Sequence, residues 1–488
     1  MHETISYNPI VLIILSFCLA TGISAEEKAC EVERPSIVER VVSRSYPSII
    51  DFSDPIIVNF PPPGSQWEWS YYKKATSRRD LFVQGSFLAQ VGFPRRADGG
   101  PHLVFRNGRY ADDVVARRQQ IQTLNPNHIF LAAFEYEGVN AADGYPEDWP
   151  YWLRDEAGNR VLEPSWNRYQ IDFTLPGAED HIVEMAVSVA KCGIFDGIFM
   201  DLWGEEEGEE LPSAEGVAHL YHGDRVEALV SLVKRIREAV GDDFLIVANT
   251  RTERIPRSAP YVNGAHIETW DDAYPRERLI EIEKALSWYE ENLRYPQVNS
   301  LKVAMNTSEP WDSPANRRLV RAATMLTLTH SNGYISILGG EFKTDSYWYR
   351  FFDAPLGRAV GGHETKGVLY ETPKSEPIDG LFIREFTGGY VVYNRSGKEH
   401  LIQLPEKVSG WHSGIEEKRW HTIGDLDGEI YLKPVATRAD VNTDGIVNIL
   451  DLVLVANAFN ATEPDLNGDG VVNILDLVWV ANSIGNRK

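Results

Sequence analysis

The chain has 488 residues, 43% of them hydrophobic and 11% aromatic, and its 48 Lys and Arg against 71 Asp and Glu leave a formal net charge of −23. Length and composition describe a globular protein of more than one domain, with ample apolar material for a large core. The acidic balance excludes a nucleic-acid partner, which needs clustered Lys and Arg to meet phosphate.

Residues 1–25 read as an export signal. An apolar run from Pro9 to Ala20 is followed by Ile23-Ser24-Ala25, a small-residue cleavage site after Ala25. Its leading segment is weakly basic, with His2 opposed by Glu3, and Leu15-Ser16-Phe17-Cys18 has the outline of a lipid-acylation site with a bulky Phe17 against it. The run is short for a membrane span and no later segment reads as one, so no integral membrane association is expected. The expected location is outside the cell, or on its surface by tethering. Cleavage leaves Cys30 and Cys192, which either pair or stay as thiols. Residues 26–50 form an N-terminal segment.

Residues 51–350 alternate short apolar runs with helical patterns, the signature of βαβ units and a parallel sheet. Eight runs begin at Pro55, Asp80, His128, Gly197, Phe244, Gly264, Leu301 and Gly333, and helical periodicity covers 111–124, 177–191, 224–240, 275–292 and 314–329. The fold class predicted is α/β, a (β/α)8 TIM barrel. Such a barrel builds its active site at the carboxyl ends of its strands. Asn59, Gln84, Glu135, Asp201, Asn249, Glu268 and Asn306 each end, or nearly end, an apolar run. Any one of them alone reads more readily as a loop cap than as a catalyst. Seven at equivalent positions point to a site. Trp203, Trp270 and Trp311 follow closely, and flat rings beside carboxylates and amides suit sugars, which have apolar faces and hydroxylated edges. The insertion bearing Tyr145, Trp149, Trp152 and Trp166 either walls such a cleft or packs as a surface loop.

Glycosidic cleavage commonly uses two carboxyl groups, one protonated to release the leaving oxygen and one ionised to attack or to activate water. Asp201 on the fourth strand and Glu268 on the sixth are the expected pair, from strands whose tips face one mouth. Asp201 is expected as nucleophile or base. Glu268, within the more apolar Ile267-Glu268-Thr269-Trp270, is expected as the acid. Glu135 and Glu205 stand in reserve. Glu135, Trp203, Asn249, Arg251, Trp270 and Asn306 make up the expected substrate-binding set, and no cofactor is expected for catalysis. A chitinase-type DGxDxDxE strand fits poorly, since Phe199 and Trp203 stand where acids belong.

Residues 351–434 turn to alternating, Gly- and Pro-punctuated text (GLFIREF, GGYVVYN, HLIQLP, EIYLKP), which predicts a small β-sandwich accessory domain. Residues 435–488 carry a repeat, in which DVNTDGIVNILD from Asp440 recurs as DLNGDGVVNILD from Asp465. A twelve-residue loop of this kind supplies oxygens to a hard cation such as Ca²⁺. Asp440, Asn442, Asp444, Ile446, Asn448 and Asp451 are the expected ligands of one ion, and Asp465, Asn467, Asp469, Val471, Asn473 and Asp476 those of a second. A module this small would draw folding energy from the metal.

That duplicated loop–helix unit, with Asp at its last ligand position, resembles a type I dockerin, and the resemblance implies a cohesin-like partner. Ile449-Leu450 and Ile474-Leu475 are either partner-reading positions or core. FDGIFMD, IETW, FFDAPLGRA and FIREFTGGYVVYNRSG together resemble the glycoside hydrolase barrels related to endo-polygalactosaminidases. Those families pair a fourth-strand Asp with a sixth-strand Glu, matched here by Asp201 and Glu268. A polysaccharide or oligosaccharide substrate is implied. The competing reading is a non-catalytic carbohydrate-binding or scaffold protein on a degenerate barrel.

Overall fold

The computed structural model describes residues 35–51, 66–83, 91–96, 99–105, 111–163, 167–205, 217–269, 274–338, 348–372, 376–434, 438–442 and 447–484. Eight parallel strands follow one another in chain order: β1 (Ile50–Asp51), β2 (Leu81–Val83), β3 (Ile129–Phe134), β4 (Gly197–Met200), β5 (Leu245–Asn249), β6 (Gly264–Glu268), β7 (Ser300–Ala304) and β8 (Tyr334–Leu338). A parallel bridge from Ile49 to Ile335, with Ile335 N donating to Ser48 O at 3.0 Å, joins the last strand to the first and closes the barrel. The first strand differs from its prediction. Ile49 and Ile50 supply its apolar surface, and the run from Pro55 lies outside the described residues.

Two helices, α1 (Ile37–Val42) and α2 (Gln66–Ser77), precede the five that fall where periodicity put them: α3 (Ala111–Leu124), α4 (Pro176–Cys192), α5 (Arg225–Val240), α6 (Arg276–Asn292) and α7 (Pro314–His330). Local chemistry sets their ends. Asp224 and Ser313 cap α5 and α7 by accepting from Glu227 N and Asn316 N, Pro176 opens α4, and Gly193 ends it at φ 72°, a conformation that costs a residue with a Cβ. No helix follows β5, where residues 250–263 return through turns.

Alternation along the strands sorts the side chains. Ile50, Leu81, Val83, Ile129, Leu131, Phe199, Leu245, Val247 and Tyr334 fill the barrel interior as one cluster. The outward set, such as Phe130, Ile198, Ile246 and Ile267, packs beneath the helices. At the amino-terminal end of β4, fully buried Asp196 accepts from Arg40 and Arg118 at 2.7 Å each and from Phe130 N at 2.7 Å, so α1, α3 and β3 are tied to the barrel floor.

A second unit follows. β9 (Leu381–Phe386), β10 (Gly389–Asn394), β11 (His400–Gly410), β12 (Lys418–Ile423) and β13 (Asp427–Leu432) form an antiparallel sheet in the order β9-β10-β13-β11-β12. β11 changes register between Gln403 and Val408, pairing with β12 at its start and with β13 at its end, so the sheet folds over Leu381, Val392, Ile402, Leu404 and Tyr431. This unit covers α7, whose residues Val320–His330 are all buried, the polar ones among them bonded: Thr324 and Thr327 donate to the carbonyls of Val320 and Ala323. Arg321 pairs with Asp427 through Nη2 at 2.7 Å, and Arg395 holds Glu283 of α6 through two bonds of 2.6 and 2.7 Å.

The chain ends in a module of α8 (Ile449–Asn457) and α9 (Ile474–Ser483), packed through Ala439, Val455, Val472 and Val480. Asn448 with Asp451, and Asn473 with Asp476, make two equivalent capping boxes, the structural form of the sequence repeat. Among the described residues no helix is long and apolar enough to cross a membrane. The export segment and Cys30 lie outside the described residues, while Cys192 is half-buried at the end of α4.

Candidate active site

The period of two that fills the barrel interior continues upward into polar residues. Above Leu131 on β3 comes Glu135, above Phe199 on β4 comes Asp201, above Val247 on β5 comes Asn249, and above His266 on β6 comes Glu268. Glu268 lies beside Lys302 of β7 in the parallel register. The carboxyl-terminal mouth is therefore lined by groups that the strand pattern itself aims inward.

Three of these side chains are joined by one amide. Asn249 Nδ2 donates to Asp201 Oδ1 at 2.8 Å and to Glu268 Oε2 at 2.8 Å, so those two oxygens lie within twice 2.8 Å of each other. Carboxylates only accept, which obliges Asn249 to turn its nitrogen toward both. Lys302 Nζ meets the other Glu268 oxygen, Oε1, at 2.5 Å. Asp201 Oδ1 also accepts from Leu202 N at 3.0 Å. Burial pushes the Asp201 carboxyl up and the negative Glu268 pushes it further, against the Asn249 bond and Lys302, which pull it down. Asp201 is reachable by solvent at the mouth, which tempers the desolvation and leaves the repulsion from Glu268 as the firmer cause.

Backbone strain sits beside both strand ends. Leu202 follows Asp201 at φ 55°, and Arg251 follows Asn249 at φ 54°, both left-handed without being glycine. Tyr136 Oη donates to Leu202 O at 2.9 Å, and Trp203 N donates to Asn249 O at 2.8 Å, so surrounding bonds hold the strained turn. Strain of this sort persists only where neighbours fix it, and it concentrates at functional sites.

Other expected residues are placed differently. Trp203 does not face a cleft; it is 2% exposed, packed edge-on to Tyr136 with Nε1 donating to Ser258 Oγ at 3.3 Å. Asn306 caps its own loop, its Oδ1 accepting from Ser308 N and Oγ at 3.0 and 2.6 Å. Glu205 is taken up by the backbone of Arg257 and Ser258 at 2.9 and 2.7 Å, which removes it from the reserve. Glu135 is exposed at the mouth, 4.0 Å from Arg168, and Arg251 is exposed beside the site. Tyr145, Trp149 and Trp152 pack into one another, with Trp149 4.7 Å from Tyr145 and 4.9 Å from Trp152, because large rings bury more area against each other than at a rim. Trp166 and Trp270 lie outside the described residues.

Sequence reasoning missed Lys302. A lysine inside the otherwise apolar run LKVAMN was the available signal, since lysine is seldom buried without a partner.

In the second loop of the terminal module the carboxylate oxygens of Asp465, Asp469 and Asp476 lie within 4.8 Å of one another. Burial pushes the Asp465 carboxyl up to about 6, and Asp469 and Asp476 push with it. Three crowded oxygen donors of like charge fit a hard divalent cation. Asp444 and Ile446 of the first loop lie outside the described residues, while Asp451 occupies the place of Asp476. Ile449 and Leu450 are 63% and 56% exposed, and Ile474 and Leu475 are 58% and 57% exposed, so these pairs are surface rather than core.

The chain is a glycoside hydrolase built on a closed parallel barrel of the (β/α)8 class. The chain belongs to hypothetical glycosyl hydrolase family 15, whose model matches residues 121–390, a stretch that takes in both Asp201 and Glu268. Residues 438–485 match the type I dockerin domain, which makes the terminal module a calcium-binding unit with a cohesin as its kind of partner. No curated protein matches the sequence. Among solved structures, the chain is similar to a pullulanase from Anoxybacillus sp. LM18-11 complexed with maltotriose, at 11% identity and a TM-score of 0.48 over 84% of this chain and 72% of that one. It is also similar to an α-amylase from Geobacillus thermoleovorans complexed with acarbose, at 12% identity and a TM-score of 0.45 over 79% and 98%. An α-amylase from Malbranchea cinnamomea aligns at 11% identity and a TM-score of 0.46 over 83% and 99%.

Proposed function

We propose that the protein is an exported, retaining glycoside hydrolase of polysaccharides, with Asp201 and Glu268 as its catalytic carboxyl groups. The observation that carries this reading is the single Asn249 amide bonded to both. With two N–H bonds diverging at about 120°, the bridged oxygens stand about 5 Å apart, close to the roughly 5–5.5 Å of retaining enzymes and short of the roughly 6.5–9.5 Å that inversion needs for a water.

The surroundings favour roles opposite to those read from the sequence. Glu268 carries its compensating cation, Lys302, and attacks as the anion. Asp201, whose proton is favoured by the repulsion from Glu268, serves as the acid. In the first step the Glu268 carboxylate bonds the anomeric carbon, the glycosidic C–O bond breaks, and the Asp201 proton passes to the leaving oxygen. In the second, Asp201 takes a proton from water, whose oxygen bonds the anomeric carbon and releases Glu268. Asn249 orients both acids, and Arg251 and Glu135 stand at the rim to meet hydroxyl groups.

The terminal module is proposed to hold two Ca²⁺ ions through the two sets of loop residues. It would display the enzyme on a cohesin-type partner through the exposed Ile449-Leu450 and Ile474-Leu475 faces.

The test is release of reducing sugar from a polysaccharide panel by the parent, Asp201→Asn and Glu268→Gln. Losses of about a thousandfold or more in both variants support the pair. Parental rates in either variant would return the barrel to the non-catalytic reading.

A further inference from the structure

Among the tryptophans whose burial is described, Trp420 alone is exposed, at 52%, while the others are buried or half-buried. It lies on β12, the edge strand of the second unit. Among the described residues, neither its ring nor its indole N–H has a partner. Directly opposite it on β11 stands Gln403, and two residues along, Thr422 stands opposite Leu401. All four face solvent on the same side of the ribbon, Leu401 at 65%, while the alternate residues Ile402, Leu404, His421 and Ile423 are buried on the other side. The alternation is therefore strict, and the ring is held outward by the same register that fills the core.

We infer that this face of the β11–β12 ribbon is a carbohydrate-binding platform outside the barrel. An exposed indole loses contact with water at little cost when a flat apolar surface covers it. The C–H face of a pyranose is such a surface. Gln403 and Thr422 offer an amide and a hydroxyl at the rim of the ring, which is the chemistry of a sugar's edge. Strand spacing makes the patch about 5 Å across and about 7 Å along, room for one or two sugar units. A patch that small binds weakly by itself and adds to the grip of the barrel on a long chain. The four residues of the patch are uncharged and suit a neutral polysaccharide, with exposed Lys418 at its edge, two residues from Trp420 along the same strand.

The inference rests on the glycoside hydrolase reading for its choice of ligand, and the two fail separately. The full chain is run through native gels containing xylan, barley β-glucan or soluble starch, in the silenced Glu268→Gln background, with and without Trp420→Ala or Trp420→Phe. Hydrolysis of a long polymer and of short oligosaccharides is followed in the Glu268 parent. The platform predicts retardation by at least one gel, a loss of about fivefold or more in apparent affinity with Trp420→Ala, and retention of binding with Trp420→Phe. Hydrolysis of the long polymer weakens and that of oligosaccharides is unchanged. Equal retardation of Trp420→Ala and its parent, or no retardation in any gel, overturns the platform. So does a Trp420→Ala effect confined to self-association in sedimentation. Hydrolysis unaffected by Glu268→Gln overturns the catalytic reading and leaves Trp420-dependent retardation standing.

Discussion

Glu268 and Lys302 face each other from adjacent parallel strands, Oε1 to Nζ at 2.5 Å, both largely shielded from solvent. Breaking such a pair from one side leaves an uncompensated charge beside the reacting centre. Lys302→Met is expected to lower kcat about ten- to a hundredfold while changing KM little, because in the proposed mechanism the ammonium steadies the attacking group rather than the bound sugar. Steady-state kinetics on a soluble polysaccharide check this. An unchanged kcat would remove Lys302 from the mechanism.

Asp201 supplies a pH dependence with a defined sign. Its proton is held more tightly in the fold than in the unfolded chain, so activity that needs the proton falls as pH rises through the raised value. Glu268→Gln deletes the repulsion, so Asp201 should titrate at lower pH in that variant, as read by carboxyl NMR. Linkage gives a companion effect. The fold binds a proton here that the unfolded chain has released, so this group's contribution to stability declines as pH rises from about 4 upward. Asp201→Asn should therefore melt higher than the parent at pH 7, with the difference closing near pH 4.

Buried histidines act in the other direction. Burial lowers His181 and His330 to about 4, and His128 and His266 are lowered as well. Below about 6.5 the unfolded chain takes up protons that these residues refuse in the fold, so stability is lost as pH falls from about 6.5 toward 4. Buried Asp80, raised to about 6, opposes this over part of the window. Denaturant melts at pH 7 and pH 4.5 should show lower stability at the acid end, and His330→Phe should shrink the difference.

Glu283 and Arg395 fasten the second unit to α6 through a buried two-bond ion pair. Removing one partner strands the other. Glu283→Gln is expected to cost about 3 kcal/mol in denaturant unfolding, with the double variant Glu283→Leu/Arg395→Met recovering much of it.

Calcium should matter to the terminal module alone. A chelator is expected to melt residues 438–484 while the barrel keeps its own transition in calorimetry, and calcium at about a thousand times its Kd should add about 4 kcal/mol to the module. Asp476→Ala should abolish one binding event and spare the other, because the loops are repeats with separate ligands.

Much of this was legible because strands buried in a barrel read as apolar runs, and polar residues at their ends therefore stand out. Asp201, Asn249 and Glu268 were visible for that reason. Trp203 misled because a tryptophan after a strand end reads the same whether it turns to solvent or, as here, folds back on Tyr136. The proposed acid and base roles rest on Lys302, which lies 34 residues from Glu268 in the chain and is its neighbour only through strand register, a relation no local motif announces. The first strand was misplaced because Ile50–Asp51 is two residues long and too short to announce itself.

Chemical rescue tests most directly the proposed attack by Glu268 and proton donation by Asp201. Glu268→Ala would be assayed on aryl glycosides with good leaving groups, with and without azide, and the product's anomeric configuration read by NMR. The prediction is azide-dependent recovery of turnover, with a glycosyl azide of inverted configuration from Glu268→Ala and one of retained configuration from Asp201→Ala. Rescue with the configurations exchanged would reverse the two roles, and turnover by Glu268→Ala equal to the parent without azide would contradict the pair altogether.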